Sequence, residues 1–277
     1  MMYCDLHNHS IFSDGSFTPL ELVKYAKEKG LSAVALTDHN TVTGIDEFYK
    51  ALDNVGIEGV FGTELTTEHN GKETHLLALF VNKDNMGGIF EFTEERKRLK
   101  RQSNIELAEA LNKGGYKVNL AEMEKKYRNI NRAHFARELV LSGYMGSTDE
   151  AFETVLASGG DYYKPYPRPD LLETVKLVKK WGCVSVLAHP LLNLERDELE
   201  EALPRLREAG LCGFEAYYPK FSEKEKDYLF NLAIKHGLIP SGGSDFHGDI
   251  KSSSDLGVAN VPYSSYEALK ACCLSLK

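Results

Sequence analysis

Histidines stand beside acidic residues in several short polar motifs, each next to an apolar stretch of the chain. His7 and His9 are two residues apart, as are Asp245 and His247, so an extended backbone would put each pair on one face. Neutral imidazole together with carboxylate suits Zn, Mn or Fe better than Mg or Ca. The sequence therefore predicts a metal site with more than one ion. The candidate ligands are the strand-end residues His7, His9, Asp14, Asp38, His39, Glu64, His75, His189, Asp245 and His247.

Each of these motifs taken alone has a simpler interpretation, since a single buried histidine is more often a hydrogen-bonded core residue than a ligand. Six histidines at or near the ends of predicted strands favour a shared site instead, because such ends meet at one mouth of a barrel. His69 falls in a predicted hairpin turn and His236 at a helix C-terminus. Neither of these two is predicted to bind metal.

Short apolar stretches alternate with helical stretches, which is typical of a parallel sheet with crossover helices. Thr18 to Glu21 and Ser222 to Glu225 each have the spacing of a capping box, which predicts two helix starts. Such repeats curl into a barrel whose reactive groups lie at the carboxyl ends of the strands. The seven predicted strands are Tyr3–Leu6, Ala33–Leu36, Glu58–Glu64, Thr74–Phe80, Val184–Ala188, Gly213–Ala216 and Leu238–Ser241.

The alternation breaks between the fourth and fifth predicted strands. Residues 82–169 are mostly helical in pattern and end in a stretch rich in Tyr and Pro. We expect a helical insertion there that caps the strand ends. The predicted domain organisation is a first barrel part at 1–81, the cap insertion at 82–169 and a second barrel part at 170–277.

Composition excludes several classes of protein. Lys and Arg total 33 against 41 Asp and Glu, a net charge of −8, which does not favour non-specific binding to duplex DNA. No stretch approaches the roughly 20 apolar residues that cross a bilayer. The five scattered cysteines suit reduced thiols, so we expect a cytoplasmic protein. The basic run Arg96–Arg101 could guide an oligonucleotide, but a solvated helix face is the more common role of such a run.

The ordered motifs resemble those of the PHP (polymerase and histidinol phosphatase) domain. They are Asp5–Ser10, Ser13–Gly15, Thr37–Thr41, Ala188–Pro190 and Gly243–Gly248. The resemblance covers nearly the whole chain and implies an α/β fold, a distorted (β/α)7 TIM-like barrel. It also implies a metal-dependent phosphoesterase, a class in which bound metals activate water and neutralise phosphate charge.

The resemblance also implies how the ligands divide among ions. His7, His9, Glu64 and Asp245 would hold one ion, Glu64 would bridge to a second ion with His75 and His189, and Asp14, His39 and His247 would hold a third. Asp14 replaces a histidine found in histidinol-phosphatase-like members. We expect two or three divalent ions, Mn first, with Zn or Fe as alternatives. Asp38 would orient a ligand imidazole, and His247 or a bound water would protonate the leaving oxygen.

Asn131–Ala136 and Glu215–Tyr218 are similar to the subgroup that removes the 3′-phosphate from nucleoside 3′,5′-bisphosphates, some of whose members also trim short 5′-phosphorylated oligoribonucleotides. Arg132 offers a planar fork for a second phosphate, and His134 could donate to the same group. Tyr218 and Lys220 could contact the nucleotide. The alternatives are an ordinary solvated helix start for the first pair and aromatic core packing for Tyr218.

Three other functions share parts of this pattern. Histidinol-phosphate phosphatase would use the same metal motifs, but Asp14 and the Arg132 segment argue against it. Hydrolysis of C–N bonds in related barrels often uses a modified Lys, and none stands in a strand-end motif here. A non-catalytic PHP accessory module would have lost ligands, whereas every ligand position is filled in this sequence.

Overall fold

The computed structural model describes residues 2–127, 130–250 and 254–276. The strands are β1 Tyr3–Asp5, β2 Ala33–Leu36, β3 Glu58–His69, β4 Lys72–Leu79, β5 Val184–Ala188, β6 Gly213–Tyr217, β7 Ile239–Gly242 and β8 Val261–Pro262. The helices are α1 Pro19–Glu28, α2 Ile45–Val55, α3 Met86–Lys113, α4 Leu120–Lys126, α5 Arg132–Leu141, α6 Thr148–Glu153, α7 Leu171–Lys180, α8 Arg196–Ala209, α9 Glu223–Lys235 and α10 Tyr263–Ser275.

The strands form one eight-stranded sheet in the order β7-β6-β5-β4-β3-β2-β1-β8. Leu6 N donates to Gly242 O at 3.2 Å, and Asn8 forms a parallel bridge with Phe246, so the two sides of the sheet are linked beyond β1 and β7. The sheet is therefore a nearly closed barrel, which confirms the predicted TIM-like fold. All seven predicted strands are present, and β8 adds a short antiparallel partner to β1.

The barrel departs from the all-parallel expectation at β4, which runs antiparallel to both β3 and β5. Asn70 and Gly71 have φ of 50° and 78°, the two positive values of a type I′ hairpin turn. A two-residue turn cannot contain a crossover helix, so the strand must reverse. The same turn lets β3 continue to His69, five residues beyond its predicted end at Glu64.

Local capping sets the predicted helix starts. Thr18 and Glu21 form a capping box at α1 with Pro19 at the first position, and Ser222 and Glu225 do the same at α9. Both helices begin where the sequence predicts. The alternation of each strand then sends one set of side chains toward the helices and the other toward the barrel interior.

Alternate strand residues form two apolar clusters in the barrel. Val34, Leu36 and Leu76 pack in the cluster that includes the helices. Ala33 and Leu77 belong to the other cluster, into which α10 also packs. The polar residues that follow the strands are therefore anchored to a closely packed apolar core.

Residue contacts divide the chain into two compact units, Met1–Thr93 with Arg168–Lys277, and Glu94–Pro167. The first division falls within α3, because Ile89 is buried in the barrel core. The second unit has a core of its own, built on Leu107, Phe135 and Leu156 among others. None of the helices in the described ranges combines the length and apolar character needed to cross a bilayer.

Candidate metal centre

The predicted ligands of the barrel come from the loops after β1, β2, β5 and β7, and from β3 and β4 themselves. His75 stands near the start of β4. It pairs with Ala188 at the end of β5, the residue just before His189. The antiparallel direction of β4 explains this placement, because its start lies at the same end of the barrel as the ends of the parallel strands. One barrel mouth therefore collects all six predicted histidine ligands.

Backbone strain and close approach shape this mouth. His189 and Asp245 have φ of 28° and 54°, in the left-handed region that side chains other than glycine seldom adopt. Asp245 N donates to His7 O at 3.0 Å, which fixes the loop after β7 against the loop after β1. A Cβ at Gly243 would lie 2.5 Å from His7 N, so only glycine allows this contact. Such strain persists where the surrounding structure over-determines it, as at functional sites.

Glu64 is the centre of the cluster, and its side chain is 1% exposed. Oε2 lies 3.2 Å from His7 Nε2, 3.3 Å from His9 Nε2 and 3.0 Å from His39 Nδ1. Oε1 lies 2.7 Å from His75 Nδ1 and 3.1 Å from His189 Nε2. Five imidazoles thus surround one carboxylate, which is the arrangement that a ligand shared between ions needs.

Donor atoms in this mouth form four overlapping groups, in each of which they lie within 4.8 Å of one another. The groups are His9, Asp14, His39 and His247; His7, Glu64 and His189; His7, His9 and Asp245; and His39, Glu64 and His75. The structure brings together every ligand implied by the family. It differs from the division implied by the family in three places, because His9 also joins Asp14, His39 also joins Glu64 and His7 also joins His189.

Several buried donor atoms of the cluster have no hydrogen bond of acceptable geometry. They are His7 Nε2, His9 Nδ1 and Nε2, Glu64 Oε2 and His75 Nδ1. Leaving a buried polar atom unsatisfied costs about 1–3 kcal/mol, so five in one place would be costly in a purely structural role. Imidazole and carboxylate atoms that converge in this way fit divalent metal ions.

The other ring nitrogens of these imidazoles face acceptors. His7 Nδ1 lies 3.0 Å from Glu215 Oε1, and His247 Nδ1 lies 2.7 Å from Asp245 O. Because a carbonyl oxygen only accepts, His247 donates from Nδ1, and its Nε2 lies 3.3 Å from Asp14 Oδ1. An imidazole held in this way by a backbone carbonyl suits a metal ligand.

Two further imidazoles have the same kind of support. His189 Nδ1 lies 3.3 Å from Asn193 Oδ1, and His75 Nε2 lies 3.2 Å from Glu73 Oε1. Partners of this kind fix the tautomer and the ring orientation of a metal ligand. Sequence reasoning did not identify Glu215, Glu73 or Asn193. A signal existed for Glu215 alone, since it is a charged residue in the middle of the apolar strand β6.

Electrostatic coupling in the cluster is strong. Burial opposes the charged form of Glu64, but the positive charge of His39, His7 and His75 holds its pKa well below the ordinary range. Burial also opposes the charge on His75, yet Glu64 raises the pKa of that imidazole to about 10. Burial and the neighbouring His39 lower the pKa of His9 to about 3, so its ring is neutral near pH 7.

Asp38 has a different role from the one predicted. Its carboxylate accepts from Ser10 N at 2.8 Å, from Ser10 Oγ at 2.6 Å and from Ser13 Oγ. These three bonds occupy both oxygens and hold the loop after β1, which carries His9 and Asp14. Asp38 therefore positions a ligand-bearing loop rather than an imidazole.

Tyr218 is 2% exposed, and its hydroxyl donates to Asp245 Oδ2 at 3.0 Å. Its ring lies 5.4 Å from that of His189. A ring this deeply buried cannot stack on a nucleotide base, so the structure corrects that expectation: Tyr218 packs in the core and orients Asp245. Lys220 lies in the turn after β6, where it is exposed.

Arg132 and His134 lie at the start of α5, in the unit Glu94–Pro167. The Arg132 guanidinium lies 4.5 Å from the Tyr163 ring and donates to Leu156 O at 3.2 Å. His134 Nδ1 accepts from Asn131 N at 3.1 Å, which completes a capping box. The two side chains are therefore held in place by neighbours in their own unit.

The basic run on α3 is largely paired with acidic side chains. Lys97 lies 2.8 Å from Glu94, and Arg98 lies 2.7 Å from Glu95, both at i,i+3 spacing. Arg101 lies 3.1 Å from Glu124 on α4. These pairs are what an exposed, charge-balanced helix face shows.

Residues 5–209 match the model of the PHP domain family. The chain is 30% identical to a 5′-3′ exoribonuclease of Haemophilus influenzae over 246 residues, 88% of this chain and 89% of that protein. It is 29% identical to a 3′,5′-nucleoside bisphosphate phosphatase of Chromobacterium violaceum over 261 residues, 93% of this chain and 91% of that protein.

Solved structures agree with these relatives. A protein of Bifidobacterium adolescentis assigned as a metal-dependent phosphoesterase superposes with a TM-score of 0.79 at 28% identity, covering 98% of this chain and 96% of the other. An amidohydrolase structure from Chromobacterium violaceum with bound sulfate superposes with a TM-score of 0.76 at 27% identity, with the same coverage. The chain therefore belongs to the PHP domain family of metal-dependent phosphoesterases.

Proposed function

We propose that this phosphoesterase removes the 3′-phosphate from nucleoside 3′,5′-bisphosphates. The observation that carries the proposal is Glu64, a buried carboxylate within 3.3 Å of five imidazole nitrogens, two of them on Oε1 and three on Oε2. The relative from Chromobacterium violaceum, which is named for this activity and matches along nearly its whole length, supports the substrate.

The proposed cofactor is two or three divalent ions, with Mn preferred and Zn or Fe as alternatives. The nine predicted ligands would hold them, with Glu64 shared. When bound, such ions neutralise phosphoryl charge and activate water. This local positive charge matters because the chain as a whole carries a net charge of −8. The five free cysteines support a cytoplasmic location.

The chain's own residues would prepare this site and select the substrate. Glu215 holds the His7 ring, and Tyr218 holds the Asp245 carboxylate, so that both ligands keep one orientation. Arg132 and His134 would bind the phosphate that is not cleaved, while Lys220 would contact the nucleotide from its exposed turn. Planar guanidinium donors suit bidentate recognition of phosphate oxygens.

A substrate panel with metal-reconstituted protein tests the proposal. It compares nucleoside 3′,5′-bisphosphate, histidinol phosphate and a short 5′-phosphorylated RNA by phosphate or nucleotide release. We expect the bisphosphate to have the largest kcat/KM. Histidinol phosphate as the best substrate would replace the proposed activity, and metal binding without hydrolysis of any of the three would indicate an accessory module.

Release of mononucleotides from RNA is a second candidate, supported by the relatives from Haemophilus influenzae and Escherichia coli that are named 5′-3′ exoribonucleases. The same panel separates the two activities.

Arg132→Ala tests the proposed selection. We expect kcat/KM for the bisphosphate to fall by about 10²-fold, because a lost charged hydrogen-bond donor costs roughly 2–3 kcal/mol, while turnover of an aryl phosphate changes little. Equal losses on both substrates would show that Arg132 does not select the second phosphate. Arg98→Ala, on an exposed pair of the same unit, is the control.

A further inference from the structure

The hairpin of β3 and β4 places two carboxylates directly opposite each other, since Glu68 pairs with Glu73. Like charges at directly opposite positions of an antiparallel pair repel. Arg168 lies between them, with NH2 2.5 Å from Glu73 Oε2 and NH1 4.0 Å from Glu68 Oε2. The guanidinium therefore compensates a repulsion that the register of the hairpin creates.

Arg168 is held in this position by its backbone. Glu68 N donates to Pro169 O at 2.9 Å, and Asp170 forms a parallel bridge with Glu68. Asp170 also caps α7 by accepting from Glu173 N. Pro169 has a restricted φ, which lowers the entropy cost of this extended segment. The Arg168 side chain is 20% exposed, so its pairing is partly shielded from water.

Glu73 uses its two oxygens differently. Oε2 faces Arg168, and Oε1 lies 3.2 Å from His75 Nε2. The other nitrogen of that ring, Nδ1, is buried and lies 2.7 Å from Glu64 Oε1. Arg168, Glu73, His75 and Glu64 therefore form a continuous chain of contacts that ends at the carboxylate in the centre of the cluster.

We infer that Arg168 is a positioning residue for the metal centre: through Glu73 it holds the Nε2 side of the His75 ring and so directs Nδ1 toward an ion. Without Arg168, repulsion from Glu68 would displace the Glu73 carboxylate from the His75 ring. The ring would then lose its preferred orientation. The inference rests on the metal centre that the proposed function uses.

The test measures Co²⁺ affinity by competition with a chromophoric chelator. The visible spectrum recorded after each added equivalent of Co²⁺ distinguishes the sites. We expect Arg168→Met to weaken one Co²⁺ equivalent by about 10-fold, since loss of such support usually costs 10–100-fold in metal affinity. The other equivalents should bind as in wild type, and the thermal midpoint of the metal-free protein should fall only slightly, because one cross-strand repulsion is a small effect. Turnover should show a lower kcat with an unchanged KM.

Two further variants separate positioning from folding. Glu68→Gln in the Arg168→Met background removes the repulsion and should restore most of the lost affinity. Lys72→Met removes a different ion pair of the same hairpin, with Glu198, and should leave every equivalent unchanged. Wild-type affinity in Arg168→Met, or a uniform loss in all equivalents together with a large fall in the midpoint, would overturn the inference. Failure of the proposed substrate appears instead in wild-type turnover, which this comparison of affinities does not use.

Discussion

The histidines of the barrel mouth differ from His134, in the insertion formed by the unit Glu94–Pro167, in what their ring nitrogens face. In the mouth, His7 has one nitrogen on Glu215 and the other buried without a hydrogen bond of good geometry. In the insertion, His134 uses Nδ1 to accept the backbone N–H of Asn131 and closes a capping box. The same residue type is thus a candidate metal ligand in one region and a helix cap in the other.

Burial explains why the difference matters. A buried nitrogen without a partner costs free energy that a bound cation can recover, whereas a nitrogen at a helix start already satisfies an unpaired backbone donor. The folded barrel tolerates this free-energy cost because its apolar core holds the candidate ligand loops in place.

The largest expected effect follows from Glu64→Gln. The variant removes the anionic oxygens that lie between 2.7 and 3.3 Å from five imidazole nitrogens, so we expect kcat to fall by about 10³-fold. Metal content by mass spectrometry should fall in parallel. Glu58→Gln, on the same strand and in a surface pair with Lys270, should retain activity and metal. Full metal content in Glu64→Gln would show that this carboxylate is not a ligand.

Metal addition should stabilise the barrel mouth and leave the helix cap at the start of α5 unchanged. Mn²⁺ at 100 times its dissociation constant should raise the free energy of unfolding by about 2.7 kcal/mol for each site, because the ion binds the folded state. Hydrogen exchange checks where this occurs. Amides of the loops after β1 and β7 should gain protection, and those at the start of α5 should not. A gain spread evenly over both units would contradict a site confined to the barrel.

Glu215→Gln should weaken metal binding by about 10–100-fold, because it removes the carboxylate that holds His7. His189 N donates to Glu215 Oε2 at 2.7 Å. In the variant, the glutamine NH2 group must face either this N–H or the His7 ring, so one of the two contacts is lost. Titration calorimetry measures the affinity, and the thermal midpoint of the metal-free protein reports any separate loss of stability. Glu223→Gln on α9 is the surface control. An unchanged affinity would show that Glu215 has only a structural role.

The smallest expected effect is that of Asn131→Ala. It removes the side chain that accepts from His134 N at 3.3 Å, and loss of such a cap costs about 1 kcal/mol. We expect this loss in the chemical denaturation of the insertion, with metal affinity unchanged. Thr18→Ala removes the equivalent cap of α1 and should cost a similar amount in the barrel. Weaker metal binding in Asn131→Ala would mean that the two regions are energetically coupled.

Much of the candidate site could be predicted because its ligands are marked by type and position. His7 with His9, and Asp245 with His247, stand next to strands that apolar patterning identifies. The starts of α1 and α9 were equally predictable, since a capping box involves only residues three apart. The Asn70-Gly71 turn is also a local signal, since a two-residue turn of this kind reverses the strand that follows it.

The roles of other residues could not be predicted because they depend on partners far along the chain. Asp38 stands beside His39 in sequence, yet Ser10 and Ser13 occupy its carboxylate. Tyr218 comes directly after a strand, where an aromatic side chain could contact a nucleotide. Its hydroxyl instead donates to Asp245, and its ring is buried.

Sequence patterns alone indicate the chemistry available to this protein: the candidate ligands, their order, the strands that carry them and the caps of the helices between. The combination of these groups depends on the folded barrel, which places Glu64 between five imidazoles, Glu215 against His7 and Glu73 against His75. The physical reason is distance along the chain. Capping and turns are settled within a few residues, whereas His7 and Glu215, 208 residues apart, meet only when the barrel closes.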